Sequence, residues 1–328
     1  MKALLFAVNG VLPVILPVGL GYVLKRIGWM DAALAAKLNK IVFRVLLPCM
    51  LFSNVAGMSA SLGAGLDYVG FCLAVELAVF LLAIPSVMVL TPESGRRGAL
   101  LQASFRSNFA LIGIPLAQSL CGGEGVAAAS LLSAALIPAF NVLAVVSLSL
   151  FGDGKQKLSG KKILWGIAKN PLILSVLAGL LFFGLSRFLN ARGIAFSLSD
   201  TGALHKTLSS LAGAATPLAL LSLGAQFEFS AVGQMKKEIL FGVAVRTLIV
   251  PAVGLSAALL LRDRFAAAQF ACFVSAFATP VAVSSVPMAQ EMKADAALAG
   301  QLVVWTTLVS ALSIFVATWV LRAVGVFG

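Results

Sequence analysis

Charge is what this chain has least of. Only 11% of its 328 residues are Asp, Glu, Lys or Arg, while 60% are hydrophobic and the mean hydropathy is +1.04. Soluble domains carry about 25% charged residues. An ordinary water-facing surface is therefore excluded, and the excess apolar side chains must face lipid. Acid is scarcer than base, 12 residues against 24, and no Asp falls inside a long apolar run, which excludes an intramembrane aspartyl protease. There is one histidine, His205, and the four cysteines, Cys49, Cys72, Cys121 and Cys272, show no paired spacing. They read as small buried hydrophobes, not as metal ligands or disulfide partners. No H-E-x-x-H, G-x-S-x-G or P-loop string occurs. Nothing points to an enzyme, and neither a cofactor nor a metal is expected.

What the chain has is long apolar runs. A bilayer-spanning helix needs about 20 mostly apolar residues, and ten segments qualify: 4–24, 38–57, 68–90, 98–121, 125–151, 163–186, 207–227, 237–261, 265–289 and 296–324. Only Lys2 precedes the first apolar run, Lys25 and Arg26 follow it and no small-residue cleavage site stands out, so the N-terminus reads as a retained first helix rather than a signal peptide. Counting basic residues by side orients the segments. Lys25, Arg26, Lys37, Lys40, Arg96, Arg97, Lys155, Lys157, Lys161, Lys162, Lys236, Lys237 and Lys293 fall on one side, 13 in all; Lys2, Arg187, Arg192, Lys206, Arg262, Arg264 and Arg322 fall on the other, 7 in all. The richer side is expected to be cytoplasmic, with both termini outside. The net +12 is then mainly a record of insertion, not a nucleic-acid surface.

The halves resemble one another. Ala103-Ser104-Phe105-Arg106-Ser107-Asn108-Phe109-Ala110 matches Ala271-Cys272-Phe273-Val274-Ser275-Ala276-Phe277-Ala278 at five of eight positions, an offset of 168. Leu38-Asn39-Lys40 with Leu204-His205-Lys206, and Pro85 with Pro251, are offset by 166; Pro115-Leu116-Ala117-Gln118 with Pro287-Met288-Ala289-Gln290 by 172. The spacing points to a five-helix repeat. Because five is odd, successive copies enter the membrane from opposite sides, which makes them inverted, as in many secondary transporters. The expected fold is an all-α polytopic membrane protein of ten transmembrane helices in two inverted halves, 1–151 and 163–328, joined by a cytoplasmic linker at 152–162.

Binding sites in such architectures form where helices break near the midplane. Segment 4 carries Ser107, Asn108, Gly113 and Pro115; its counterpart, segment 9, carries Thr279, Pro280, Val281, Ser284 and Pro287. Proline removes a backbone donor and clashes with the preceding turn, and the freed N–H groups at a half-helix start favour an anion. On these residues the chain resembles the auxin efflux carrier family. The string from Asn108 to Pro115, N-F-A-L-I-G-I-P, looks like that family's segment-4 signature. Leu47-Pro48 with Leu51-Phe52, Asn170-Pro171-Leu172, Thr216-Pro217-Leu218-Ala219 with Ser222-Leu223-Gly224, and Pro280 to Pro287 are similar to it as well.

The resemblance covers nearly the whole chain and implies crossing, broken segments 4 and 9 in a transport unit of segments 3–5 and 8–10, set against a scaffold of segments 1, 2, 6 and 7. This is the architecture shared with sodium–proton antiporters and bile-acid symporters. It also implies carriage of a small organic anion, such as a malonate-, malate- or auxin-like carboxylate, in a bacterial-type member of the inner membrane, with a homodimer suggested. Carried over residue by residue, Asn108 contacts substrate at the crossing and Pro280 is the second crossing proline. Asn141, Ser53, Asn54 and Ser222 are further candidate contacts. Ser107 stands where plant carriers have proline, so the break is expected either at Ser107–Asn108 or toward Gly113–Pro115. Among ionisable groups inside the segments, Glu76 and Arg106 read either as a buried pair or proton-linked site, with Arg106 also able to attract the anion, or as end residues that snorkel or sit in a wet cavity. Arg44 and Arg246 are read as snorkelling anchors. The coupling ion, H+ or Na+, stays open. So do two alternatives: a bile-acid-type symporter and an anion-binding sensor that does not transport. A reporter active only outside the cytoplasm, fused after Gly328, is expected to be active, and the same reporter inserted at 152–162 to be silent; the opposite pattern would reverse the orientation.

Overall fold

The computed structural model describes residues 2–57, 65–151, 165 and 168–327, with side chains from residue 12 onward; the linker expected at 152–162 falls outside them. The described residues are helical apart from turns and one bridged pair, Ser107 with Val281. In chain order the helices are α1 (Lys2–Arg26), α2 (Ala32–Ile41), α3 (Leu47–Ala56), α4 (Leu66–Leu90), α5 (Ser94–Phe105), α6 (Ile114–Leu150), α7 (Pro171–Ala191), α8 (Ala203–Gln226), α9 (Lys236–Ala244), α10 (Val250–Leu260), α11 (Ala267–Phe277), α12 (Ser285–Glu291) and α13 (Ala296–Ala323).

Among the described residues, six helical stretches are long and apolar enough to cross a membrane: Leu66–Leu90, Phe109–Leu150, Pro171–Ala191, Ala203–Gln226, Lys236–Leu260 and Ala296–Ala323. At 1.5 Å per residue, the second would run about 60 Å, twice a hydrocarbon core. It does not run straight. Cys121 and Gly122 leave helical geometry, Gly122 with φ 58°, so the chain turns there and the stretch divides where segments 4 and 5 meet. After the undescribed residues, α7 begins at Pro171, capped by the Asn170 side chain.

Among the described residues there are three π turns: Val42–Leu46 between α2 and α3, Phe109–Gly113 leading from the break after Asn108 into α6, and Val245–Ile249 between α9 and α10. Each is followed two residues later by a proline, Pro48, Pro115 or Pro251. A proline ring clashes with the carbonyl four residues back, and a wider turn gives that carbonyl room.

The helices pack in two groups. In one, α8 lies against α1, α2 and α3, and α7 against α3; in the other, α6 lies against α4, α5 and α11, and α13 against α9 and α12. Between the groups, α1 meets α13 and α2 meets α12. In lipid, helices associate by close backbone approach at small residues. At the α1–α8 contact, a Cβ on Gly224 would strike the backbone of Val18 and Tyr22, and one on Gly21 the carbonyl of Leu221. Gly224→Ala is therefore expected to cost about 1–3 kcal/mol, the usual price of overpacking. This would be seen as a lower thermal midpoint in detergent, while Gly213→Ala, with open space around it, leaves the midpoint unchanged.

Candidate functional site

α5 ends at Phe105 and α11 at Phe277, and both chains then run extended before re-entering helix. The extended pieces cross antiparallel. Asn108 N–H donates to the Pro280 carbonyl at 2.7 Å, and Ala282 N–H donates to the Arg106 carbonyl at 3.3 Å. Val281 N–H donates to Thr306 Oγ1 at 3.1 Å. The segment-4 break is thus at Arg106–Asn108. Gly113 lies instead in the π turn and packs against α11, its carbonyl accepting from Ser275 Oγ at 2.7 Å. Ser275, which the internal repeat sets opposite Ser107, is helical; the partner of Ser107 across the crossing is Val281.

The C-terminal carbonyls of the two half-helices are met by one side chain. Arg246, fully buried on the third π turn, donates to the carbonyls of Phe105 at 3.0 Å, Ala276 at 2.5 Å, Phe277 at 3.2 Å and Thr279 at 2.9 Å. It is not a snorkelling anchor. A helix C-terminus carries about −0.5 charge, so two of them balance one guanidinium without a carboxylate in contact. The available signal was depth: Arg246 stands ten residues into its helical stretch, about 15 Å from its end, too far to snorkel. Arg44, also read as an anchor, pairs with Glu291 at 3.3 Å.

Beside the crossing lies a cavity of about 70 Å³. Its polar walls are Arg106, Ser107, Asn108, Asn141, Ser284, Asn54 and Thr216, and Met50, Phe109, Ile137 and Phe140 close its apolar side. Phe109, Ala110 and Leu111, the first turn of the helix that resumes after the break, also line it. A water occupies about 10–15 Å³ on this measure, so the space holds only a few. Arg106 donates to Asn141 Oδ1 at 2.7 Å, to Ser284 Oγ at 2.8 Å and to Met288 Sδ at 2.6 Å. The expected Glu76–Arg106 pair does not form. Glu76 is buried midway along α4, both its oxygens lack hydrogen-bond partners, and the charge acting on it is that of Arg246.

The structure thus gathers Arg106, Ser107, Asn108, Asn141, Asn54 and Ser284 around one space. It leaves others outside. Thr279 spends its hydroxyl on the Ser275 carbonyl, Pro280 and Val281 form the crossing, and Pro115 is exposed. Ser53 and Ser222 stand apart from the cavity with buried, unpartnered hydroxyls. Thr216, marked only by the family resemblance, lines the cavity, while Met288, marked only by the internal repeat, and Thr306, marked by no sequence signal, bond to residues of the crossing. A larger groove of about 460 Å³ between α10 and α13 has no charged lining residue, and its Leu248 and Leu312 are exposed to the surroundings.

Residues 6–318 match the family model described as membrane transport protein. The chain belongs to this family. It is a transporter, as the resemblance to auxin efflux carriers implied, and not an enzyme. It is also 24% identical over 307 residues to an uncharacterized transporter of Methanothermobacter thermautotrophicus, covering 93% of this chain and 95% of that one.

Without Arg246, four buried carbonyls lose their donor, each at a cost of about 1–3 kcal/mol. Arg246→Met is expected to abolish a monodisperse folded peak in size-exclusion chromatography. Arg246→Lys, which keeps the charge but cannot span four acceptors, should give an intermediate thermal midpoint. Unaltered elution of Arg246→Met would refute the capping role.

Proposed function

We propose that this member of the family moves a small organic carboxylate by alternating access, with the cavity at the crossing as its binding site. The observation that carries this reading is an unspent set of donors around an unpaired cation. All three side-chain partners of Arg106 are neutral, and among the described residues no carboxylate forms an ion pair with it. Next to it, Asn108 Nδ2 and Ser107 Oγ are buried without partners. A buried charge normally has a counter-charge, and a carboxylate supplies one while accepting from the two idle donors.

The two packing groups support the rest. In this reading, segments 1, 2, 6 and 7 are the scaffold and segments 3–5 and 8–10 the moving unit, arranged as two inverted five-helix halves in a bacterial inner membrane with both termini outside. Met50, Asn54 and Thr216 face the cavity from one group, and the crossing faces it from the other. The cavity is far smaller than the 300–1,000 Å³ of typical ligand pockets, so loading it requires the groups to part.

A hydrogen bond to a charged group contributes about 1.5–3 kcal/mol, or about 10- to 100-fold in affinity. A panel of small mono- and dicarboxylates is expected to yield one that raises the thermal midpoint of the purified protein. Asn108→Ala should weaken that ligand about 10- to 100-fold in binding and uptake, and Arg106→Gln should abolish both, with the unliganded midpoint of each variant near that of the parent. Unchanged affinity in both variants would refute the site.

A further inference from the structure

The short helix α12, whose N-cap Ser284 lines the cavity, is held at its other end by the opposite packing group. Asn39, fully buried on α2, donates its amide to Gln290 Oε1 at 2.7 Å, and Gln290 Nε2 donates to the Ala36 carbonyl at 3.4 Å. Next to this pair, Arg44 meets Glu291 at 3.3 Å, and Asn170 Nδ2 reaches Met292 Sδ at 3.7 Å. Asn39, Arg44 and Asn170 sit on or beside α2, α3 and α7; Gln290, Glu291 and Met292 sit at the end of α12.

α12 has seven residues, about 10 Å of helix. It starts directly after Ser284, which accepts from Arg106, and its Met288 lies against both Arg106 and Gln102. One short rod therefore touches the cavity at one end and the opposite group at the other. A displacement of Ser284 and Met288 by an incoming anion cannot be absorbed inside two helical turns, so it reaches Gln290.

We infer that the Asn39–Gln290 pair is the latch that keeps the cavity closed toward the lysine-rich face, and that α12 transmits the state of the cavity to it. This rests on the alternating-access reading above. Lys37, Lys40 and Lys293 flank the latch in sequence, which places it on that face. The Arg44–Glu291 pair is the lesser part: the Arg44 side chain is 61% exposed, and solvent-exposed ion pairs contribute little. The Asn39 amide is different. Its Oδ1 has no partner, so its bond to Gln290 is its one side-chain anchor. Parting the groups would break that bond and let water enter between the two amides, giving the contact two alternative arrangements.

The test reads accessibility and needs no substrate. Thr216→Cys, on the scaffold wall of the cavity, is placed in a Cys49→Ser/Cys121→Ser background and reconstituted in lipid vesicles. A membrane-impermeant maleimide is then applied from each face. Gln290→Leu and Asn39→Leu are expected to raise labelling from the lysine-rich face several-fold and to lower it from the other. Glu291→Gln should have a smaller effect, and the exchanged pair Asn39→Gln/Gln290→Asn, which keeps both amides, should return the rate toward that of the parent. Size-exclusion elution establishes that each variant is folded, and the exchanged pair separates loss of the latch from loss of packing. Labelling that proceeds at the parental rate from both faces in Gln290→Leu and Asn39→Leu overturns the latch alone. No labelling from either face in any variant overturns the latch together with the alternating-access reading beneath it.

Discussion

In hydrocarbon a peptide group has no water to turn to, so every break in a membrane helix must be repaired by protein. The crossing at Arg106–Asn108 and Pro280–Ala282 is organised by that requirement. The bridge between the extended pieces satisfies Asn108 N–H and Ala282 N–H, Thr306 satisfies Val281 N–H, and Arg246 takes the four carbonyls of the half-helix ends. Once these bonds are made, few polar groups near the crossing remain uncommitted. Among those that do, beside Ser285 Oγ and Gln102 Oε1, Asn108 Nδ2 and Ser107 Oγ belong to residues that line the cavity. The cost of breaking a helix in lipid thus selects the groups that can serve a ligand.

Two buried arginines in this small region have opposite employment, and their acceptors explain why. Arg246 hydrogen-bonds only to main-chain carbonyls at negatively polarised helix ends and has Glu76 within electrostatic range, so its charge is balanced by the fold itself. Arg106 lies past the end of α5, on extended chain, and its partners are an amide, a hydroxyl and a thioether. None of these carries a compensating charge. The first arginine is complete without a ligand; the second is not. Both sit in lipid-embedded stretches, and depth alone does not tell one role from the other.

Much of this is legible in the sequence because its causes are local. Apolar runs of bilayer length and prolines in the corresponding segments 4 and 9 each act on the chain within a turn or two, and the described helices fall close to where these signals put them. Asn108 and Ser107 are legible for the same reason. Arg246 is not, because its acceptors lie 30 to 141 residues away in sequence. Nor is the pairing of Ser107 with Val281: the internal repeat aligns helix with helix and so matches Ser107 to Ser275, whereas the crossing depends on where each helix stops. The Arg106–Glu76 pairing fails on geometry that composition cannot carry, since the cation turns into the cavity while the acid remains within range of Arg246.

In the proposed mechanism, the same locality lets a small cavity act on a large motion. Met288 and Ser284 touch Arg106 within one turn of each other, and Gln290 and Glu291 follow on the next turn of the same helix. Nothing in α12 is long enough to bend, and α12 ends on residues whose partners belong to the opposite packing group. An interaction at the crossing and a contact at the membrane face are therefore two ends of one rigid element. In the proposed mechanism, an anion that binds one arrangement of α12 better than the other shifts the latch by that difference in affinity.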